Sequence, residues 1–480
     1  YLGNMDEQLY CEAMTDNAYT KQPNDFTQNI GNGSYSTADS YVKQVWDGRY
    51  TGIRMCNELL ENIDRVPDLD PELKKRYIGE AKVLRAYNYY ELYTKFGDVP
   101  YTTKVLSIKE SMSIARTAKA TVIANVLADL DEVINGNYLP TSYDADNKGR
   151  ITRWAAMAIK AKIYLFEGNW TQVKNITSTI MTEGGFKLFG SYAGLFEIAN
   201  EYNSEVILDA QYRPTSREHQ MMYVFLPPTL GGYSQLSPLQ ELVDSYIMLD
   251  GKTIKETGTS FDESHPYANR DPRLKATVMY TGNSYTLADG TEVVINCEKG
   301  EGKDGYGVGS DCSATGYYIK KYWDNTYRAT LYSGLNPILI RYADILLMNA
   351  EALAELGELD KTAWDATIKP IRDRAGFTLA SALEFPEGAS KDKLIEIVRN
   401  ERRSELALEG HRHKDIIRWR IADNVLNGWC HGLKTNDVVG TDDGYVRVEN
   451  RTFNANRHYL WPIPQAERDL NGNLEQNPNW

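Results

Sequence analysis

At 480 residues the chain exceeds what one simple core usually holds, so one large composite unit or two are expected. Lys and Arg number 53 against 66 Asp and Glu, and the resulting net charge of −13 repels phosphate backbones and excludes nucleic acid as a partner. Hydrophobic residues at 42% and charged residues at 25% are ordinary for a globular protein, and no run of about 18 apolar residues is present to cross a membrane.

The first stretch of interest is polar and turn-rich. In MTDNAYTKQPNDFTQNIGNGSYS, Met14 to Ser36, the aromatics Tyr19, Phe26 and Tyr35 alternate with Asp16, Asn17, Asn24 and Asn29 without helical periodicity. Sugars bind flat aromatic faces through their C–H faces, while Asn, Asp and Arg fix the hydroxyl pattern, so this loop is a candidate ligand surface. Helices follow. Ala38 to Asp64 carries Val42, Val45, Trp46, Ile53 and Leu60 inward, with Trp46 and Tyr50 assigned to the core. Asp70-Pro71 reads as an N-cap with a first-turn proline, followed by an apolar face of Leu73, Tyr77, Ala81 and Leu84, and Gly97 and Pro100 end that helix. Asp144 to Gly149 imitates the start of an EF-hand loop, but Lys148 and Ala155 stand where ligands are required, leaving a turn before a helix. Thr152 to Glu167 and Trp170 to Glu183 form a second pair around Gly168-Asn169.

An irregular insertion runs from about Glu201 to Asn336. It holds a short strand from Glu205 to Tyr212, a hairpin at Ala288-Asp289-Gly290, and Tyr233 in a Gly-Gly-Tyr-Ser turn before a helix near Pro238. Trp323, Tyr327, Arg328 and Tyr332 form a further aromatic loop. Gly300 to Gly305 matches G-x-G-x-x-G, yet no helix opens after it, so it reads as a loop. Arg341 to Ala375 is a third helix pair, with Ala343, Leu346, Leu347, Ala350 and Ala354 on one face and Trp364, Ile368, Ile371 and Ala375 on the next. Pro370 predicts a kink or restart inside the second helix. Ser390 to about Asn427, broken at Gly410, is the fourth pair.

Chemistry-bearing patterns are few. Glu405 and Glu409 lie one turn apart as a hydrolase pair might, but Arg402 and Arg412 flank them and would hold both ionised in a surface ion-pair ladder. His411 and His413, two residues apart, fit a metal poorly, and no nucleophile elbow, zinc-protease or phosphate-loop motif is present. Neither a cofactor nor a catalytic residue is indicated. Five cysteines, an odd count without a C-x-x-C, disfavour zinc and a full disulfide framework; Cys297 and Cys312, around a Gly-rich loop, are the pair placed for a bridge. Thirty-three tyrosines against 11 phenylalanines suit half-wet surfaces, either helix seams or a carbohydrate or peptide platform.

The blocks GEAKVLRAYNYYELYTKFGDVPY, GRITRWAAMAIKAKIYLFEGNW, RYADILLMNAEALAELGELD, NERRSELALEGHRHKDIIRW, YLWPIPQAERD and NLEQNPNW, in this order, resemble the SusD/RagB family of surface nutrient-binding lipoproteins. The resemblance and the periodicities together give a mostly α fold. Four interrupted tetratricopeptide-like helix pairs form a superhelical scaffold, capped by a mixed loop-rich and short-strand segment. The expected regions are 1–200, 201–336 and 337–480. The resemblance implies a non-catalytic oligosaccharide-binding protein on the outward-facing surface of the outer membrane, docked on a SusC-like TonB-dependent transporter. It also implies a signal peptide and a lipid-bearing cysteine upstream of Tyr1. In starch-binding members the aromatic arc arises from a Thr-Asp-led N-terminal loop and an aromatic in a Gly-aromatic-Ser turn; Thr15-Asp16 and Gly232-Tyr233-Ser234 match those frames, and Tyr223 matches a further arc position. The ligand-binding set is therefore Asp16, Asn17, Tyr19, Phe26, Tyr223, Tyr233, Trp323 and Tyr327. Alternatives are capture of a peptide or host-glycoprotein glycan, a glycoside hydrolase using Glu405 or Glu409, and a soluble repeat scaffold.

Overall fold

Helix formation follows the capping residues closely. In the computed structural model, which describes residues 5–21, 26–326 and 331–480, Asp39 accepts from the amides of Tyr41 and Val42 to open α1 (Ser40–Asn62), and Asp70 accepts from Leu73 N to open α2 (Pro71–Phe96). α2 ends at Gly97 with φ 70°. Next comes α3 (Lys119–Asn135), then α4 (Arg153–Phe166), capped by Thr152, and α5 (Trp170–Glu183), capped by Asn169. Neighbours pack in chain order, α1 on α2, α2 on α3, α3 on α4 and α4 on α5.

The helix α3 was not among the expected elements, although Val122, Val126, Leu130 and Val133 share one buried face. Its presence explains a misreading of α2. Leu73, Tyr77 and Leu84 are only half-buried, whereas Val83, Ala86, Tyr89, Leu92, Tyr93 and Phe96 are buried. A helix held between two neighbours is covered on opposite sides, so no single stripe describes it.

The insertion crosses from one repeat to the next. Strand β1 (Ala18–Thr20) precedes α1, and the insertion supplies β2 (Val206–Asp209), β3 (Leu236–Pro238), α6 (Gln240–Ser245) and α7 (Pro272–Thr277). β1 pairs antiparallel with β3, Tyr19 opposite Ser237. The hairpin of β4 (Ser284–Thr286) and β5 (Glu292–Val294) turns at Gly290, φ 84°, as Asp-Gly predicts. Residues Gly300 to Gly305 form a loop with no helix after them.

The strand β6 (Ile338–Arg341) pairs with β2 and runs into α8 (Tyr342–Leu356). α8 lies between α5 and α10 (Lys391–Glu405). Its Ala343, Leu346, Leu347, Ala350 and Ala354 are all buried, and they share a cluster with Trp364, Ile368, Ile371 and Val398. The expected restart occurs: the short helix Lys361–Ala366 stops and α9 (Ile368–Ala375) begins after Thr367, because the Pro370 ring clashes one turn back, at Ala366. Gly410, φ 78°, separates α10 from α11 (Arg412–Arg418), and a Cβ there would meet Gln8 O and Cys11 Sγ at 3.2 Å. A hairpin not expected from the sequence follows, β7 (Gly428–Lys434) with β8 (Tyr445–Arg451).

The final segment returns to the N-terminal repeats. Trp461 N donates to Lys95 O at 2.7 Å, and Asn477 Nδ2 donates to Phe96 O at 2.9 Å and to Trp461 O at 2.7 Å, fixing the end of α2. Many tyrosines serve helix seams: Tyr89, Tyr90 and Tyr93 lie in the repeat core with Trp46. All five cysteines, Cys297 and Cys312 included, are free thiols.

Candidate functional site

Tyr233 is presented by a turn that only small residues can make. Gly231 has φ 85°, and a Cβ on Gly232 would sit 2.2 Å from Leu226 O. Tyr233 N then donates to Tyr223 O at 2.9 Å, setting the two rings side by side with centroids 6.4 Å apart and planes 28° from parallel. Tyr233 is 36% exposed and Tyr223 half-buried, so the pair forms a two-ring shelf facing solvent.

The same segment continues through β3 into α6, and at its far end opens a cleft of ≈ 450 Å³ lined by Glu241, Asp244, Asn400, Arg403, Lys255 and Trp429, with Asp16 at its floor. Trp429, on β7, is 43% exposed. Burial raises the Asp244 carboxyl above its ordinary range, and Gln240 Nε2 donates to it at 2.7 Å. Asn400 donates to Ser245 O at 3.0 Å, which fixes the plane of its amide. Glu241 is engaged by His431, whose backbone N and Nδ1 lie 3.0 and 2.8 Å from Glu241 Oε1. Aromatic face, acceptors and donors thus converge in the cleft, the combination that recognises a polyhydroxylated ring.

The residues expected to bind ligand divide accordingly. Tyr223 and Tyr233 come together on the shelf. Asp16 reaches the cleft but is 5% exposed and held by Arg412 (2.8 Å) and Arg403 (3.0 Å). Burial raises its carboxyl, and the two guanidiniums outweigh that and hold it well below the usual range. Its role is to orient Arg403 rather than to offer a free carboxylate. Asn17 is 1% exposed; its amide donates to Glu12 Oε2 at 2.8 Å and accepts from Arg403 Nε at 3.0 Å, so it braces the loop from within. Tyr19 is half-buried, its hydroxyl 3.5 Å from Gln28 Nε2 and pushed up to about 12 by burial. Trp323 is half-buried against Tyr285 and donates to Thr286 O at 2.8 Å, a packing role. Phe26 opens a helix, Phe26–Asn32, but its side chain, like Tyr327 altogether, lies outside the described residues. Trp429, Asp244 and Asn400 were missed. Trp429 follows Gly428 in non-helical context, the signal that singled out Tyr233.

The paired carboxylates Glu405 and Glu409 are no surface ladder. Both are fully buried, and their partners are not Arg402 and Arg412 but Arg341, which meets them at 2.6 and 2.7 Å, with Arg273 and Arg374 on Glu405 and Lys321 on Glu409. The network extends through Glu205, Asp271, Arg372 and Glu401, five cations against five carboxylates. Burial pushes the Glu405 carboxyl up, and Arg374, Arg341 and Arg273 override it and keep it ionised. Arg402 instead pairs with Asp344 and Asp415. Helix neighbours in sequence could not show this, because the true partners come from β6, α7 and α9. Among the described residues no cluster of His, Cys, Asp and Glu is arranged to hold a metal.

Comparison with known proteins agrees along the whole length. A model of the SusD family matches residues 195–480, and one described as starch-binding and associating with the outer membrane matches residues 3–165. SusD-like protein P25 of Formosa agariphila is 28% identical over 409 residues, 80% of this chain and 71% of that protein. The crystal structure of a SusD-like carbohydrate-binding protein from Bacteroides fragilis is 29% identical, with a TM-score of 0.87 over 97% of this chain and 92% of that one. A second SusD-like protein from the same organism is 28% identical, with a TM-score of 0.85 over 100% of this chain and 94% of that one. With one family model covering more than half its residues and a shared fold throughout, the chain belongs to the SusD family.

Proposed function

We propose that this protein captures oligosaccharide at the outer face of the outer membrane, without cleaving it, and passes it to a TonB-dependent transporter on which it docks. The observation that carries the reading is the segment from Tyr223 to Ser245, which holds an aromatic shelf at one end and one wall of the Trp429 cleft at the other. A saccharide chain lying across both would stack on Tyr233 and Trp429 and present its hydroxyls to Asp244, Asn400 and Arg403. Glu405 and Glu409, the carboxylates a hydrolase reading would need, are sealed in the interior as ions and have neither a proton to donate nor access to substrate. Membership of a family that includes carbohydrate-binding proteins supports the substrate class, and the resemblance supports the transporter and the lipid anchor.

Titration calorimetry of the chain against a panel of neutral oligosaccharides and a panel of peptides tests the cargo. Binding confined to peptides overturns the saccharide assignment. A pull-down from native outer membranes tests the docking partner, and recovery without any barrel transporter overturns that part alone.

A further inference from the structure

A second cleft, sharing no residue with the first, opens where the C-terminal end of α2 meets the chain's last segment. Its volume is ≈ 750 Å³, and it runs between Gly97, Phe166, Tyr459 and Asn477. Five cations line it, Arg116, Lys119, Arg418, Arg420 and Arg457, against two acids, Asp98 and Glu475. In a chain of net charge −13 this is a local inversion of sign.

Three of the cations are occupied. Arg116 donates to the carbonyls of Asp98, Phe96 and Glu475 and to Asn477 Oδ1. Lys119 pairs with Glu167 at 2.9 Å, and Arg418 pairs with Glu351 and Asp415 at 2.6 and 2.9 Å. Arg420 and Arg457 have no carboxylate partner among the described residues. Each instead lies over an aromatic ring, Arg420 4.3 Å from the centre of Tyr459 and Arg457 3.7 Å from the centre of Trp480. Stacking occupies the guanidinium face and leaves its N–H edges for an oxyanion. Among the described residues Arg457 Nε is buried without an acceptor. Asp98 Oδ1 accepts from Lys119 N at 2.7 Å and Asp423 Oδ1 accepts from Tyr459 Oη at 2.7 Å, while Glu475 meets Arg116 through its backbone carbonyl; among the described residues none of the three pairs with Arg420 or Arg457.

We infer that this cleft is a binding site for an acidic saccharide, whose carboxylate or sulfate is gripped by the edges of Arg420 and Arg457 while its ring lies against the apolar wall of Phe166 and Leu460. The inference rests on the reading of the chain as a saccharide binder, and adds a second site of a different charge class. Galacturonate trimer, a sulfated galactose trimer and neutral galactotriose are the probes, with calorimetry at low and physiological salt. Tight binding of either acidic trimer, weakening with salt, is expected, and the Arg420→Gln/Arg457→Gln double variant should lose at least tenfold in affinity. The arm that binds more tightly tells carboxylate from sulfate. A Tyr233→Ala/Trp429→Ala double variant should retain the acidic trimer, so loss of neutral binding there bears only on the proposed function. Absence of acidic binding, acidic binding unchanged in the arginine double variant, or equal binding of a glutamate oligopeptide overturns the inference. Because Arg457 packs on Trp480, melting curves accompany each variant, and the exposed Arg420→Gln single variant serves if the double melts early.

Discussion

Tyr233 and Trp429 are exposed because each follows a glycine with positive φ or no room for a side chain, so the backbone turns outward at the aromatic residue. Ring stacking contributes on the order of 0.5 to 1.5 kcal/mol beyond burial, so Tyr233→Ala or Trp429→Ala should weaken oligosaccharide binding by up to about tenfold. Melting temperatures should stay within a degree or two, since neither ring fills a core void; a large drop would assign the ring to packing. Gly232→Ala should lower affinity as well, because its Cβ cannot coexist with Leu226 O and the Tyr223–Tyr233 shelf must move. At this scale the sequence was half legible. Aromatics in turns stood out, and Tyr223 and Tyr233 do meet. Polar residues misled, since Asp16 and Asn17 look like ligand groups in a list of residues and are spent on Arg403 and Glu12, contacts separated by up to hundreds of positions.

Among elements, caps and salt bridges make an instructive contrast in magnitude. Thr152→Ala removes one side-chain acceptor from Ala155 N at the start of α4 and should cost about 1 kcal/mol in chemical denaturation. Arg341→Met leaves Glu205, Glu405 and Glu409 short of their common partner in the interior and should cost roughly 3 to 5 kcal/mol, or prevent folding. A loss near 1 kcal/mol for Arg341→Met would mean that water reaches the network. Helix boundaries were legible wherever a cap and a glycine bracketed them, as in α2 and α5. The helix α3 and the β7–β8 hairpin were not. No side-chain cap marks the start of α3, and β7 alternates only weakly between buried and exposed residues, with Gly428 and Gly432 interrupting it.

For the whole molecule, acid response follows from groups with opposite signs. Burial depresses His411 and His413 to about 3 and His219 and His458 to about 4, from an ordinary 6.5, so their contribution is lost as pH falls below 6.5. Burial raises Glu12 and Glu201 to about 7 and Asp209 to about 6, so their neutral forms favour the folded state as pH falls through the same window. Below the ordinary carboxylate value of 4.5 these three are protonated folded or unfolded and cease to contribute, while the histidines and the depressed Glu405 and Glu409 still do. A melting-temperature profile should therefore be nearly level from about pH 5 to 7 and fall steeply below about 4.5; a steep fall between 7 and 5 would show the histidines acting unopposed. Removing residues 475–480 should also lower the melting temperature, because Asn477 and Trp480 clasp the end of α2 and Leu460.

The ten-member charge network joins the insertion, through Glu205, Asp271, Arg273 and Lys321, to the repeats, through Arg341, Arg372, Arg374, Glu401, Glu405 and Glu409. Apart from Asp271, whose partner Arg273 is two residues away, each charge is neutralised by members distant in the chain, so a change in one must be answered by a change elsewhere before the chain can fold again. The shelf and the cleft rim contribute nothing to that balance. Descendants of this protein can therefore trade the turn at Tyr233 or the strand at Trp429 for other loops, while the junction beneath them is inherited as a block.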